Sequence, residues 1–283
     1  MKTSNWKKSL ILLTVLPLLA ACSQQSLLEK GQQKIDQTQA SASSNVDYGK
    51  ESDEKPSKTL AESVLVDAVK KQLGNNVKWN GSGAFVVNDN KSSLNADVSS
   101  APYVHNTPLN SDKQLGVADA LLNKTTRQYK NRNETSSNGK SNSETIKPAG
   151  WHQIMLKSSP YNTLYNRGHL IGYAIAAGLS SFDASEANPE NIAAQTAWAN
   201  QASNGEDDNT GQNYYETQVR KAIDKGKTVR YQVKPIYVGD DLVPMGNEIQ
   251  AKSKDGSLDF NVFVPNVQPG VKIDYATGYG SKE

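Results

Sequence analysis

Asn166-Arg167-Gly168-His169-Leu170-Ile171-Gly172-Tyr173-Ala174-Ile175-Ala176-Ala177 sets a titratable imidazole beside a fixed cation, at the head of a mostly apolar run. Downstream comes a second stretch, Asn191-Ile192-Ala193-Ala194-Gln195-Thr196-Ala197-Trp198-Ala199-Asn200-Gln201, in which amides punctuate small apolar residues. Asn191 and Asn200 are nine residues apart, about 180° round a continuous helix. They cannot both face one site from one straight helix. If both serve it, Asn191 lies before the helix and Asn200 inside it. The turn-forming Asn188-Pro189-Glu190 permits this arrangement.

The chain has three histidines. His105 falls in an irregular, proline-flanked segment and reads as a surface residue. His152 follows Trp151 and reads as structural. His169 carries the chemistry. A neutral imidazole with a reference pKa of about 6.5 can take a proton from water at physiological pH. Arg167 offers a fork of donors to phosphate, and Gly168 allows close backbone approach. The asparagines suit Mg²⁺, which prefers oxygen ligands and keeps several of its waters. Asn200 is then the direct metal ligand, with Mn²⁺ as the alternative ion. On the residues alone, Asn191, Gln195 and Asn200 read equally well as helix caps and surface decoration.

Outward from this centre, length and composition set bounds. At 283 residues the chain can bury one sizeable core. Its single cysteine, Cys22, excludes an intramolecular disulfide and a cysteine-rich zinc site. Residues 1–22 are laid out as a secretory signal, with Lys7 and Lys8 before an apolar run of about a dozen residues. That run is short for a membrane span, which needs roughly 20. Ala20-Ala21-Cys22 resembles a bacterial lipobox, in which Cys22 is lipidated and becomes the mature N-terminus. The alternative is an uncleaved anchor. The net charge of +2 says little, because loss of this segment takes three lysines with it and leaves −1. Local basic patches matter more than the total.

Residues 23–57 are polar and almost without aromatics, the composition of a tether. The folded domain is expected over 58–283. Leu60 to Leu73 has helical spacing and stops at Gly74. Residues 78–79 and 84–88 read as short strands round a Gly-Ser-Gly turn. Residues 115–130 read as a helix with a basic end: Lys124, Arg127, Lys130 and Arg132 meet no acid between Asp119 and Glu134. This is either a solvated face or a phosphate-contacting patch. Residues 136–148 form a polar loop able to cover a groove, and 150–155 read as the start of a strand. Residues 206–208 are an acidic patch that reads as solvated. Residues 212–224 read as a helix on which Glu216 and Arg220 share a face. A second basic run follows, Arg220, Lys221, Lys225, Lys227, Arg230 and Lys234. Residues 228–238 and 258–264 read as strands, with a hairpin turn at Asp255-Gly256.

Asn166-Arg167-Gly168-His169 resembles the Asp-Arg-Gly-His motif of the DNA/RNA non-specific endonucleases, the ββα-metal or His-Me finger group. Asn191, Gln195, Asn200 and Gln201 are similar to its downstream Asn-x-x-x-Gln-x-x-x-x-Asn-Gln pattern. The likeness tightens toward streptococcal membrane-attached DNA-entry nucleases. It is carried by Thr126 to Arg132, Phe182-Asp183-Ala184-Ser185, Thr196 to Gln201, Gly211 to Glu216, Asp241-Leu242-Val243-Pro244 and Phe260 to Gln268. The resemblance covers most of the chain from about residue 110. It implies an α+β fold: an antiparallel sheet core with helices and a ββα-metal motif from His169 to about Gln201. It implies Mg²⁺-dependent, sequence-nonspecific cleavage of DNA, with RNA as a second substrate. His169 is then the base, Asn200 the Mg²⁺ ligand, Asn191 a catalytic residue that supports the site or the phosphate, and Glu216 the holder of the metal's water. Arg167 lies near the scissile phosphate. Arg132 and Arg220 match basic positions implied in DNA binding, and Arg127, Lys130 and Lys221, from the two basic runs, are expected to contact nucleic acid with them. Asn166 departs from the usual aspartate. The expected location is the outer face of a bacterial membrane, with no protein partner implied. The rival reading is a surface nucleic-acid-binding lipoprotein without catalysis. A metalloprotease lacks its His-Glu-x-x-His pattern here.

Overall fold

The computed structural model describes residues 46–130, 145–203 and 210–283. The readings on Cys22, most of the tether, Arg132, most of the 136–148 loop and the 206–208 acids lie outside these residues. The described chain forms a compact unit, Val46–Glu283. It therefore begins twelve residues earlier than the composition suggests. Val46 and Tyr48 pack against the core. Gly270 N–H donates to the Tyr48 carbonyl at 2.7 Å, and Glu51 pairs with Lys282 at 2.8 Å. Polar composition hides this segment, because backbone and charged groups fasten it.

Two helices open the domain, α1 (Lys58–Glu62) and α2 (Asp67–Leu73), where one was expected. Leu60 and Val69 are nine residues apart, so a straight helix would point them in opposite directions. The break lets both be buried, with Ala61, Val64 and Leu73. At the break Ser63 Oγ donates to the Leu60 carbonyl at 2.7 Å, and Val66 is extended.

The seven-stranded antiparallel sheet contains β1 (Val77–Trp79), β2 (Phe85–Val87), β3 (Tyr103–Asn106) and β4 (Ala118–Leu122) from the first half of the domain. The expected helix over 115–130 is thus wrong. Ala118, Leu121 and Leu122 fit helical spacing, while Ala118, Ala120 and Leu122 fit strand spacing. Pairing on both edges of β4, to β3 and to the later strand Val229–Ile236, decides it. A 3-10 turn over Lys124–Thr126 follows, capped by Asn123. His105 is exposed on the edge strand β3.

The segment 150–155 makes only an isolated bridge, Met155 to Thr163, rather than a strand. Next come β5 (Tyr165–His169), α3 (Tyr173–Ala176), β6 (Ile192–Thr196), α4 (Ala197–Gln201) and α5 (Gln212–Asp224). β7 (Val229–Ile236), β8 (Gly246–Ser253) and β9 (Asp259–Pro265) form the sheet centre, and β10 (Val271–Ile273) pairs with β11 (Gly280–Lys282). The sheet order is β1-β2-β9-β8-β7-β4-β3. α5 buries Tyr215, Val219, Ala222 and Ile223, an i, i+4, i+7, i+8 face. Among the described residues no helix is long and apolar enough to cross a membrane.

β5 and β6 form a separate antiparallel pair, with His169 opposite Ile192 and Asn166 opposite Gln195. α4 follows β6 directly, so β5, β6 and α4 make a ββα unit. Thr196 caps α4, accepting from Ala199 N–H at 3.1 Å. The segment after β9 fastens the unit. Asn266 Oδ1 accepts from Thr196 N–H at 2.7 Å, and Gln268 Oε1 accepts from Trp198 N–H at 3.0 Å.

Candidate active site

A cavity of about 760 Å³ opens over the ββα unit. Asn166, Arg167 and His169 reach it from β5, Asn200 from α4, and Gln212 and Glu216 from the first turns of α5. Trp151, Tyr173 and Glu186 complete much of its wall. Four of the expected residues, His169, Arg167, Asn200 and Glu216, therefore meet in one place.

His169 is 8 % exposed. Its Nε2 lies 3.1 Å from the Ala184 carbonyl oxygen. A carbonyl only accepts, so the neutral ring carries its proton on Nε2, and Nδ1 is the basic nitrogen. Arg167 Nε donates to the Ile146 carbonyl at 2.6 Å, and its guanidinium lies 4.9 Å from the centre of the Trp151 ring. Two contacts thus orient the fork.

Two glycines make room for the site. A Cβ on Gly172 would overlap Glu216 Oε2, so Gly172 lets the acid sit against the backbone. Gly168 plays the same part for Gln195 on the paired strand. Neither needs an unusual φ; the requirement is space.

Asn191 does not line the cavity. It is fully buried just before β6. Its Oδ1 accepts from Ile171 N–H at 3.0 Å and its Nδ2 donates to the Ile171 carbonyl at 3.1 Å. Its own carbonyl accepts from Leu170 N–H at 2.9 Å. It clamps the two residues that follow His169. The nine-residue separation from Asn200 is spanned by a strand, so the two asparagines serve different ends of the unit. Asn191→Ala should leave the two Ile171 groups unpaired, at about 1–3 kcal/mol each. Thermal unfolding should show a Tm drop of about 2–4 °C per kcal/mol. An unchanged Tm would refute the clamp.

Of the residues expected to contact nucleic acid, Arg127, Lys130, Arg220 and Lys221 do not line the cavity. Arg127 is not open to a phosphate. Its Nε pairs with Asp224 at 2.9 Å, its Nη1 donates to the Ala174 carbonyl, and its guanidinium sits 4.6 Å from the centre of the Tyr129 ring. This guanidinium holds the Asp224 carboxyl below its usual range. The sequence run hid that partner, which arrives from the far end of α5. Lys130 and Lys221 are exposed. Arg220 lies one turn beyond Glu216 and donates to Thr217 Oγ1. His152 stacks on Tyr279 with ring centres 3.7 Å apart and does not line the cavity.

Glu186, Trp151 and Gln212 escaped the sequence reading. Glu186 follows directly on the Phe182 to Ser185 stretch, and Gln212 lies within Gly211 to Glu216. Neither stood out as a residue type. Glu186 brings a carboxylate to the same cavity in which Asn166 carries none.

A histidine on the first strand of a ββα unit, facing an amide on its helix, defines a ββα-metal nuclease. Residues 81–268 match the pattern of the DNA/RNA non-specific endonucleases, and the chain belongs to that family. Among solved structures it is similar to NucA from Streptococcus agalactiae with magnesium ion bound. The two share 41 % identity over 77 % of this chain and 94 % of that one, with a TM-score of 0.69. The same protein with no metal bound gives 41 % over 77 % and 95 %, and 0.68. Sda1 nuclease with bound zinc ion shares the fold at 18 % identity over 72 % and 98 %, with a TM-score of 0.54. The protein is a nuclease.

Proposed function

We propose that this nuclease hydrolyses DNA, and RNA as a second substrate, without sequence selection, using Mg²⁺ with Mn²⁺ as the alternative ion. The observation that carries this reading is the convergence of His169, Arg167, Asn200 and Glu216 on one cavity. The donor set suits the metal. Asn200 and Glu216 offer oxygen atoms, and no group of three His, Cys, Asp or Glu side chains suited to a metal occurs among the described residues. A hard cation that keeps its waters needs no fuller cage. Asn200 would hold the ion directly and Glu216 through its hydration. When bound, it supplies charge stabilisation to the phosphate and to the departing oxygen.

His169 Nδ1 takes a proton from the attacking water. The water oxygen bonds to phosphorus and the bond to the 3′-oxygen breaks. The 3′-oxygen takes a proton from solvent, leaving a 3′-hydroxyl and a 5′-phosphate. Arg167 donates to the phosphate oxygens, which carry more charge as the water attacks. Lys130, Arg220 and Lys221 attract the flanking backbone. Cys22, on the pattern of residues 1–22, would tether the enzyme to the outer face of the membrane.

Digestion of plasmid DNA and of a structureless RNA, with Mg²⁺ and then with EDTA, tests the reading. Both substrates should be degraded with Mg²⁺ and survive with EDTA. Intact DNA in Mg²⁺ and Mn²⁺, with binding retained, would instead make this a nucleic-acid-binding surface protein.

A further inference from the structure

Gln212 opens α5, is 2 % exposed and yet lines the cavity. Its Nε2 donates to the carbonyl of His169 itself at 2.6 Å, to the Leu170 carbonyl at 3.2 Å and to Glu216 Oε1 at 3.1 Å. Two hydrogens serve three acceptors, so one is shared. Its Oε1 accepts from Gln195 Nε2 at 3.0 Å and from Asn247 Nδ2 at 2.9 Å. One amide thus joins β5, β6, β8 and α5, with both of its polar atoms used.

We propose that Gln212 is a positioning residue that sets the base on β5 and the acid on α5 relative to one another. This rests on the nuclease reading above. Three facts favour it over a merely buried amide. Its donor end contacts the backbone of His169 and Leu170 and the carboxylate of Glu216. The anchorage of α5 comes separately, from Tyr215, Val219, Ala222 and Ile223. And only an amide fits: a carboxylate would face two carbonyls and Glu216 with no donor, while an apolar isostere would release all five contacts. Groups that orient a metal's ligands typically change affinity or activity by about 10–100-fold when lost.

The test uses the full chain and three variants. Gln212→Met keeps the volume and removes the hydrogen bonds. Asn247→Ala removes one donor that orients the Gln212 amide. Val219→Ala loosens the core beneath the same helix. Cleavage kinetics, Mg²⁺ titration by calorimetry without DNA, and Tm are measured for each. Gln212→Met should lower kcat and weaken Mg²⁺ binding by about 10–100-fold, with KM for DNA within about twofold. Asn247→Ala should show a smaller loss of the same sign, which keeps the proposal testable if Gln212→Met does not fold. Val219→Ala should lower Tm with kcat and Mg²⁺ affinity intact. Wild-type kcat and Mg²⁺ affinity in both polar variants would overturn the proposal alone. Equal loss of kcat in Val219→Ala would do the same. A wild-type protein that neither binds Mg²⁺ nor cleaves would remove the function reading as well.

Discussion

His169→Ala should lower plasmid cleavage by about 10²–10⁴-fold, the usual contribution of a placed base, while DNA binding stays within about twofold. The separation follows from the layout. The exposed cations Lys130 and Lys221 lie outside the cavity, and Arg167 is held by Ile146 and Trp151. None of these depends on the imidazole. The ring does have a structural partner, the Ala184 carbonyl at 3.1 Å, so a stability cost of about 1 kcal/mol is expected. Tm separates that cost from the chemistry: a fall of about 2–4 °C cannot account for a hundredfold loss of rate at 25 °C. The measurement is supercoiled-plasmid nicking beside filter binding of the same DNA. Nicking within about twofold of wild type would take His169 out of its role.

Gly168→Ala is expected to damage fold and site together. A Cβ there would overlap the Gln195 amide oxygen and come 2.5 Å from Gln195 Cβ and 3.0 Å from its Cδ. The amide end cannot swing away cheaply, since Gln195 is buried and its Nε2 donates to Gln212 at 3.0 Å. The Gln195 Cβ cannot move without its strand. β5 and β6 would have to part, at about 1–3 kcal/mol or more for an overpacked methyl group. At about 2–4 °C per kcal/mol, Tm should fall by several degrees. Cleavage should fall as well, because Gly168 stands between Arg167 and His169 and any strand shift displaces both. A misplacement of about 1 Å can cost about a hundredfold. Calorimetric melting and the nicking assay together check this. A variant with wild-type Tm and rate would show that the strand pair yields freely at this point.

Much of the site could be read from local signals. Arg-Gly-His before an apolar run, and amides at fixed spacing after it, single out His169, Arg167 and Asn200 through the family resemblance they carry, and all three line one cavity. Asn191 and Asn200 lie on different elements, as the helical repeat alone requires of two residues nine apart that serve one unit. The role of Asn191 was not legible. Nothing in the sequence distinguishes an amide that faces substrate from one that faces the backbone of Ile171. The same limit applies to Arg127, whose partner Asp224 is 97 residues away.

The hairpin and helix signals after residue 212 needed no tertiary help: α5, β7 and β9 fall close to where periodicity puts them. β4 shows the opposite. Its apolar residues satisfy both repeats, and the hydrogen bonds of β3 and β7 choose the strand. The start of the domain at Val46 was set by distant backbone and charged partners, and the break between α1 and α2 by what the core could bury. Local signals thus singled out side chains that line the cavity. The placing of His169 beside Glu216 came from packing, because Gln212, Gln195 and Asn247 meet only once three strands and a helix have closed around them.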